Sequence, residues 1–270
     1  MKSLLGKFRA TEASIKARKP LIHHITNYVT AGDCANAALC FGASPVMADA
    51  LEEMPAIAGK ADALVLNLGT VNKTKFTSML AAAKIAKMRG IPIILDPVGV
   101  MATKMRLDMA KELIKNGVQI IRGNYAECRA LLGDANFGQG VDAGSDCDTK
   151  GEFARQAAKK FSCIVAVTGA VDAVSDGRQV VLGRNGHELL TKVTGTGCMT
   201  TTLIACAAAV GDDYFLSAVF GVTFMNVAAE QAALALTLGE GIGTFKIRLF
   251  DAIGCLDGAA VESCFRGEKL

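Results

Sequence analysis

The hydrophobic and polar positions of the chain follow two alternating patterns. Short apolar runs of strand length give way to longer segments in which apolar residues recur every three or four positions, the spacing of a helix with one buried face. The short runs predict strands at 63–68, 91–95, 119–121 and 164–167 and a hairpin formed by 173–175 and 179–182. The longer segments predict helices at 29–41, 73–89, 104–116, 125–132, 151–161, 199–210 and 213–236. This alternation favours an α/β protein whose sheet is mostly parallel.

Two glycines precede the predicted helix at 199–210. Gly195 and Gly197 flank Thr196, and Cys198 follows them directly. Because glycine has no Cβ, the backbone can turn sharply there and approach a ligand closely. The free N–H groups and the dipole of a helix N-terminus attract anions, so Thr196, Gly197 and Cys198 are predicted to form an anion hole. The same location predicts a lowered pKa for the Cys198 thiol.

Polar residues and a nearby glycine follow four of the predicted strands. In an open parallel sheet, ligands bind at the carboxyl ends of the strands. We therefore expect these polar side chains to collect along one edge of the sheet, facing the anion hole. The four endings are Asn67-Leu68-Gly69, Asp96-Pro97-Val98-Gly99, Arg122-Gly123-Asn124 and Thr168-Gly169.

Two acidic residues at or near these strand ends each allow two interpretations. Asp96 precedes Pro97, which is typical of a turn or cap aspartate. Glu127 lies three residues after Asn124, the spacing of a capping box. Alternatively, both carboxylates and Asn124 face a Mg²⁺ ion through water molecules, because Mg²⁺ dehydrates reluctantly and favours carboxylates and phosphate oxygens.

Arg122 closes an apolar strand, where an unpaired guanidinium would be costly to bury. Either a structural salt bridge or bidentate phosphate binding accounts for it.

The adjacent His23 and His24 point to different faces of an extended segment, so a shared metal ion is not expected. Met47 is by type more typical of a core than of a pocket.

Composition excludes several classes of function. The 270 residues are 51% hydrophobic with no tryptophan, which fits one domain spanning residues 1–270. The net charge of +3, without a basic block, argues against nucleic-acid binding. The apolar stretch 215–238 contains Asn226, Glu230 and Gln231, so we do not expect a membrane span. Neither a Walker A motif nor a GxGxxG after a strand is found.

The nine cysteines include no CxxC pair, and several lie inside predicted helices. The N-terminal residues lack the apolar core of a signal peptide. We therefore expect a cytoplasmic protein with mostly buried free thiols.

The polar, glycine-rich segment 133–148 is predicted to be a surface loop or lid.

Taken in order, these motifs resemble the hydroxyethylthiazole kinase family of the ribokinase-like superfamily. The resemblance covers nearly the whole chain and includes segments 20–29, 42–48, 66–70, 95–99, 121–124, 166–169 and 193–198. It implies a ribokinase-like α/β fold with a mostly parallel central sheet flanked by helices on both faces. It also implies a homotrimer with active sites at subunit contacts. The implied reaction is phosphorylation of the hydroxyl of 4-methyl-5-(2-hydroxyethyl)thiazole, with ATP as co-substrate and Mg²⁺ as cofactor, for thiamine diphosphate biosynthesis.

The resemblance also implies roles for individual residues. The thiazole-binding positions are Met47, Gly195 and Asn27; the ATP-phosphate positions are Arg122 and Thr168; the metal-side acids, acting through water, are Asp96 and Glu127. Cys198 stands where most ribokinase-like enzymes have an aspartate base, so it is the implied catalytic residue, as a base or as a group that orients the hydroxyl. One departure is Ile242, where many relatives have proline. No role is implied for His24.

Three alternatives stay open. A dehydratase of hydrated NAD(P)H shares the fold, but we would expect an aspartate at Cys198. A cysteine-nucleophile hydrolase would need a histidine partner for Cys198, and no recognisable partner motif is found. A non-catalytic thiazole-binding protein could lose Arg122, Asp96 and Glu127, all of which are present.

Overall fold

The computed structural model describes residues 2–133 and 147–270. The strands among these residues are β1 (Leu21–Ile25), β2 (Ser44–Met47), β3 (Ala63–Asn67), β4 (Ile93–Asp96), β5 (Ile120–Asn124), β6 (Ile164–Thr168), β7 (Asp172–Ser175), β8 (Val180–Gly183) and β9 (Gly267–Lys269). The helices are α1 (Lys2–Leu5), α2 (Phe8–Arg18), α3 (Ala31–Cys40), α4 (Met54–Ile57), α5 (Lys73–Arg89), α6 (Lys104–Lys115), α7 (Tyr125–Leu132), α8 (Cys147–Phe161), α9 (Thr196–Ala208), α10 (Tyr214–Leu234), α11 (Ile242–Cys255) and α12 (Gly258–Cys264).

The strands form one sheet in the order β2-β1-β3-β4-β5-β6-β7-β8-β9. Every pair from β2 to β6 is parallel, and the pairs from β6 to β9 are antiparallel. The predicted mostly parallel sheet and the predicted hairpin of β7 and β8 are therefore confirmed. Parallel strands need crossover connections, so helices cover both faces of this part of the sheet.

Two hydrophobic clusters lie on opposite faces of the sheet. Neighbouring residues of β4 show the division, because Ile94 belongs to one cluster and Leu95 to the other. One face is covered by α9 and α10, and α10 also packs against α11 and α12. This enclosure explains why most of α10 is buried and its sequence is mainly apolar. None of the helices within 2–133 and 147–270 is both long and apolar enough to cross a membrane.

The predicted helices and strands are all found, with shifts at their ends. The largest relevant shift is at α9, which begins at Thr196 rather than at residue 199, so the anion-hole residues form its first turn. The sequence patterns did not predict three strands, β1, β2 and β9, or five helices, α1, α2, α4, α11 and α12. Of the predicted loop at 133–148, residues 134–146 lie outside the described part; Gly133 follows α7, and Cys147 and Asp148 open α8.

Candidate active site

The polar ends of four parallel strands meet at one edge of the sheet, as expected. Asn67 of β3 is in register with Asp96 of β4, and Asn124 of β5 is in register with Thr168 of β6. The parallel register therefore sets these side chains next to one another without any special loop structure. The first turn of α9 packs over the same edge.

A buried amide connects Asp96 to Cys198. Asn67 donates from Nδ2 to Asp96 Oδ2 at 3.1 Å, and the same nitrogen lies 3.2 Å from Cys198 Sγ. Asn27 donates to Asn67 Oδ1 at 3.0 Å and lies 3.6 Å from Cys198 Sγ. Thr201 donates to Asp96 Oδ2 at 2.9 Å. These bonds fix the thiol, the amides and the carboxylate in one rigid group.

The Cys198 thiol does not have the lowered pKa predicted from its place at a helix N-terminus. Cys198 is buried, and burial, together with the negative charge of Asp96, raises its pKa to about 11. Desolvation penalises the thiolate more than the helix N-terminus stabilises it. The thiol is therefore protonated at neutral pH, which fits a group that orients a substrate better than one that accepts a proton.

The guanidinium of Arg122 lies against the first turn of α9. A Cβ built on Gly197 would lie 2.4 Å from Arg122 Nη1. Nη2 donates to Thr168 Oγ1 at 2.6 Å, and Nη1 lies 3.8 Å from Asp96 Oδ1. The salt bridge that the sequence allowed is thus present, but it is longer than a hydrogen bond.

Two buried polar atoms of this group, Arg122 Nε and Asp96 Oδ1, have no hydrogen-bond partner among residues 2–133 and 147–270. Buried polar atoms are rarely left unsatisfied, and those that are require an explanation. An anionic ligand between the strand ends and α9 would accept from Arg122 Nε, and a cation or a hydrogen-bond donor that comes with it would satisfy Asp96 Oδ1. Burial raises the pKa of Asp96 to about 6, opposed by the nearby positive charge of Arg122, so the carboxyl is mainly ionised at neutral pH.

The turn before α9 requires glycine at Gly195. Its φ of 88° is in the left-handed region, and a Cβ there would lie 2.7 Å from Thr30 Cγ2. No side chain caps α9, so its first N–H groups keep their capacity to bind an anion. The predicted turn geometry is confirmed.

Glu127 forms the capping box that its spacing predicted. Its Oε2 accepts from the backbone N–H of Asn124 at 2.9 Å, and Asn124 Oδ1 accepts from the Glu127 N–H at 2.9 Å. Its Oε1 accepts from the N–H of Gly99 at 3.0 Å. Both carboxylate oxygens thus hold the loops after β4 and β5 together.

No group of three or more His, Cys, Asp or Glu side chains among residues 2–133 and 147–270 could hold a metal ion. The donors that fit Mg²⁺ are the unpaired Oδ1 of Asp96 and the nearby Glu127 carboxylate. Most of the coordination would have to come from water and phosphate oxygens, which is the usual arrangement for Mg²⁺ beside a nucleotide.

A cleft of about 540 Å³ opens beside Arg122. Its wall includes the predicted phosphate residues Arg122 and Thr168 and the predicted anion-hole residues Thr196 and Gly197. This volume lies within the usual range for small-molecule sites. The other predicted residues, Asn27, Met47, Asp96, Glu127, Gly195 and Cys198, do not line this cleft. Met47 is 37% exposed at the end of edge strand β2, so it is not a core residue.

Comparison with known proteins decides the family. The model of the hydroxyethylthiazole kinase family matches residues 13–258. The chain belongs to this family. A hydroxyethylthiazole kinase of Alkaliphilus metalliredigens is 45% identical over 259 residues, which cover 93% of this chain and 95% of that protein.

Solved structures agree with this assignment to the hydroxyethylthiazole kinase family. A hydroxyethylthiazole kinase protein from Pyrococcus horikoshii superposes with a TM-score of 0.89 at 37% identity and covers 100% of both chains. A Bacillus subtilis pyridoxal kinase, solved as an ADP complex, superposes with a TM-score of 0.57 at 14% identity and covers 78% of this chain and 91% of that one. At that identity it shows the fold alone. The predicted ribokinase-like fold is confirmed.

The sequence did not identify two groups of residues that shape the hydroxyethylthiazole kinase site. Asn67 was identified only as part of a strand ending, although an amide at the end of a wholly buried strand by itself indicates a functional position. Asp172 accepts from the N–H of Gly169 at 2.9 Å and from Asn226 Nδ2 at 2.5 Å, which fixes the turn after Thr168. Nothing in the local pattern indicated the contact between Asp172 and Asn226, because they are far apart in sequence.

Proposed function

We propose that this chain transfers the γ-phosphoryl group of ATP to the hydroxyl of 4-methyl-5-(2-hydroxyethyl)thiazole, giving the thiazole phosphate used to make thiamine diphosphate. The observation that carries the proposal is the Arg122 guanidinium, which lies against Gly197 at the start of α9 with its Nε unpaired. The identity of the acceptor alcohol is inferred from membership of the hydroxyethylthiazole kinase family.

The phosphates of ATP bind between the cleft wall and the first turn of α9. Arg122 and the N–H groups of Thr196, Gly197 and Cys198 provide positive charge and donors for the oxygens of the transferred group. Thr168 holds one arm of the guanidinium in place. Phosphoryl transfer depends mainly on such positioning and charge neutralisation, because its transition state is loose.

The thiazole alcohol binds on the other side of this turn, near Asn27, Met47 and Gly195. Its hydroxyl oxygen attacks the γ-phosphorus in line while the bond to the ADP oxygen breaks, and the hydroxyl proton passes to an oxygen of the transferred phosphoryl group or to water. Cys198, protonated and held beside the amides of Asn27 and Asn67, orients the hydroxyl. A loose transition state makes little demand on a base, so a protonated thiol suffices for this role.

Asp96 and Glu127 are the residues that would hold Mg²⁺ through water. Of the two, Asp96 has the oxygen without a hydrogen-bond partner, whereas both oxygens of Glu127 already accept backbone N–H groups. When bound, Mg²⁺ would offset the negative charge of the phosphate oxygens. Asp96 is therefore the better metal-side acid of the pair.

A coupled assay of ADP release tests the proposed reaction. The purified protein should consume ATP with Mg²⁺ and the thiazole alcohol, and it should turn over pyrimidine, pyridine and sugar alcohols much more slowly. ATP turnover that does not depend on the alcohol, or a preference for a sugar, would contradict the proposal. A product that is not a phosphate ester would favour the lyase alternative.

The assembly proposed for the chain is a homotrimer with sites at subunit contacts. Large apolar side chains are exposed near the thiazole residues: Tyr28 at 79%, Val29 at 58% and Leu51 at 41%. A neighbouring subunit would remove this surface from water. Light scattering should give the mass of a trimer at micromolar concentration, and a stable monomer there would count against shared sites.

Two further proposals concern the chain as a whole. A single domain spanning 1–270 is supported by one sheet that uses strands from both ends of the chain. A cytoplasmic location is supported by the eight cysteines whose side chains are described, all of which are free thiols.

A further inference from the structure

The backbone hydrogen bonds of β2, the strand that ends at Met47, hold it only weakly in the sheet. β2 has four residues, lies at the edge of the sheet and, within the described part of the chain, pairs only with β1. None of its residues is fully buried. A short exposed edge strand leaves one row of backbone groups unpaired and is easily displaced. Met47 can form a defined wall of a pocket only if other contacts fix this strand.

Two buried side chains supply those contacts. His23, fully buried in β1, donates from Nε2 to the carbonyl oxygen of Ala48 at 2.9 Å. Burial lowers the pKa of His23, so the ring is a neutral donor at neutral pH. Lys75, with only 11% of its side chain exposed, pairs with Asp49 Oδ2 at 3.3 Å. Both contacts hold the residues that directly follow Met47.

Lys75 also reaches the neighbouring strand. Its ammonium donates to the carbonyl oxygen of Thr26 at 2.8 Å, directly before Asn27. The backbone of Lys75 is itself fixed, because its N–H donates to the Asn72 side chain that caps α5. One partly buried cation thus joins the segments that follow β1 and β2, and Asn27 and Met47, the residues proposed to contact the thiazole, lie in or next to these segments.

We propose that Lys75, supported by His23, is a positioning residue for the alcohol substrate, because it sets the separation between Asn27 and Met47. This inference rests on the thiazole site proposed above. Lys75 makes no described contact with Arg122 or Thr168, so its effect falls on the alcohol and not on ATP. The role needs the ammonium charge, since both of its partners are oxygen acceptors.

Lys75→Met tests this role because it keeps the length of the side chain and removes the charge. We expect the KM for the thiazole alcohol to rise about tenfold, the factor that corresponds to one lost charge-assisted hydrogen bond, with the KM for ATP within about twofold of the wild-type value. Lys75→Arg should restore part of the loss. Lys73→Met, an exposed lysine in the same helical turn, is the matched control and should behave as wild type.

Asp49→Asn provides a second variant that keeps the core intact, because the Asp49 side chain is 56% exposed. It should shift the alcohol KM in the same direction by a smaller factor. An equal rise in both KM values, or a lower melting temperature with unchanged kinetics of the folded enzyme, would show a merely structural role and overturn the inference.

Amide hydrogen exchange separates this inference from the proposed function. Residues 44–49 should exchange faster in Lys75→Met than in the wild type or in Lys73→Met, whichever alcohol the enzyme uses. A wild-type protein inactive on the thiazole alcohol would defeat the proposed function, whereas unchanged exchange at 44–49 would defeat the role of Lys75.

Discussion

Arg122→Ala should lower kcat/KM for ATP by about tenfold to a hundredfold while the protein stays folded. A charge-assisted contact to a phosphate contributes roughly 1.5–3 kcal/mol, which corresponds to that loss of rate. Part of the hydrogen-bonding capacity of this guanidinium is unused, because Arg122 Nε has no partner among the described residues and Asp96 Oδ1 lies 3.8 Å from Nη1. Steady-state kinetics with varied ATP, measured beside thermal denaturation, checks the expectation.

Arg122→Lys is the matched variant and should recover only part of the rate, because a point charge cannot reproduce the planar fork of arginine. The competing role is a buried structural ion pair with Asp96. Breaking such a pair would cost about 3–5 kcal/mol of stability. A large fall in melting temperature with normal ATP affinity in the folded enzyme would therefore refute the phosphate role.

Gly197→Ala should reduce kcat/KM by about a hundredfold with little loss of stability, an effect near the upper end of that expected for removal of a phosphate contact. The new Cβ would meet Arg122 Nη1 at 2.4 Å and Cζ at 2.9 Å. The far end of a flexible side chain can move away at small cost to folding. The guanidinium would then no longer face the first turn of α9. Kinetics and thermal denaturation of the same preparation measure both effects.

Gly32→Ala is the control, because Gly32 occupies the same position in the first turn of α3 that Gly197 occupies in α9. A Cβ on Gly32 would have no atom within 4 Å. We expect normal kinetics and a gain in stability of about 0.5–1 kcal/mol. Adding Gly197→Ala to Arg122→Ala should lower the rate little further, since both act on one guanidinium. Full additivity of the two losses would contradict this explanation.

Helices with strong local signals could be predicted from the sequence almost to the residue. α5 and α7 begin and end as expected, because Asn72 and Asn124 cap them and Gly90 and Gly133 follow them. β1 was missed because His23 and His24 interrupt its apolar pattern. Each ring also has a partner that is distant in sequence, the carbonyl oxygen of Ala48 for His23 and the hydroxyl of Thr202 for His24, and a local pattern does not show such partners.

The candidate site also has features that could be predicted from the sequence and features that could not. The strand-end residues and the turn at Gly195 could be predicted, since each follows from a local pattern. The pKa of Cys198 could not, because it depends on how deeply α9 buries the thiol and on the charge of Asp96, which is remote in sequence. The sequence shows which residue occupies a helix N-terminus but not how much water reaches it.

The buried thiol of Cys198 has a consequence for the chemical durability of the enzyme. Oxidants and electrophiles attack the thiolate, and a pKa of about 11 leaves almost none of it at cellular pH. Cys255, an exposed cysteine, would be modified long before Cys198, which is buried in the first turn of α9. Modification of Cys198 by peroxide or alkylating agents should then follow the opening of the fold, so this thiol would tolerate oxidative stress for as long as the protein remains folded.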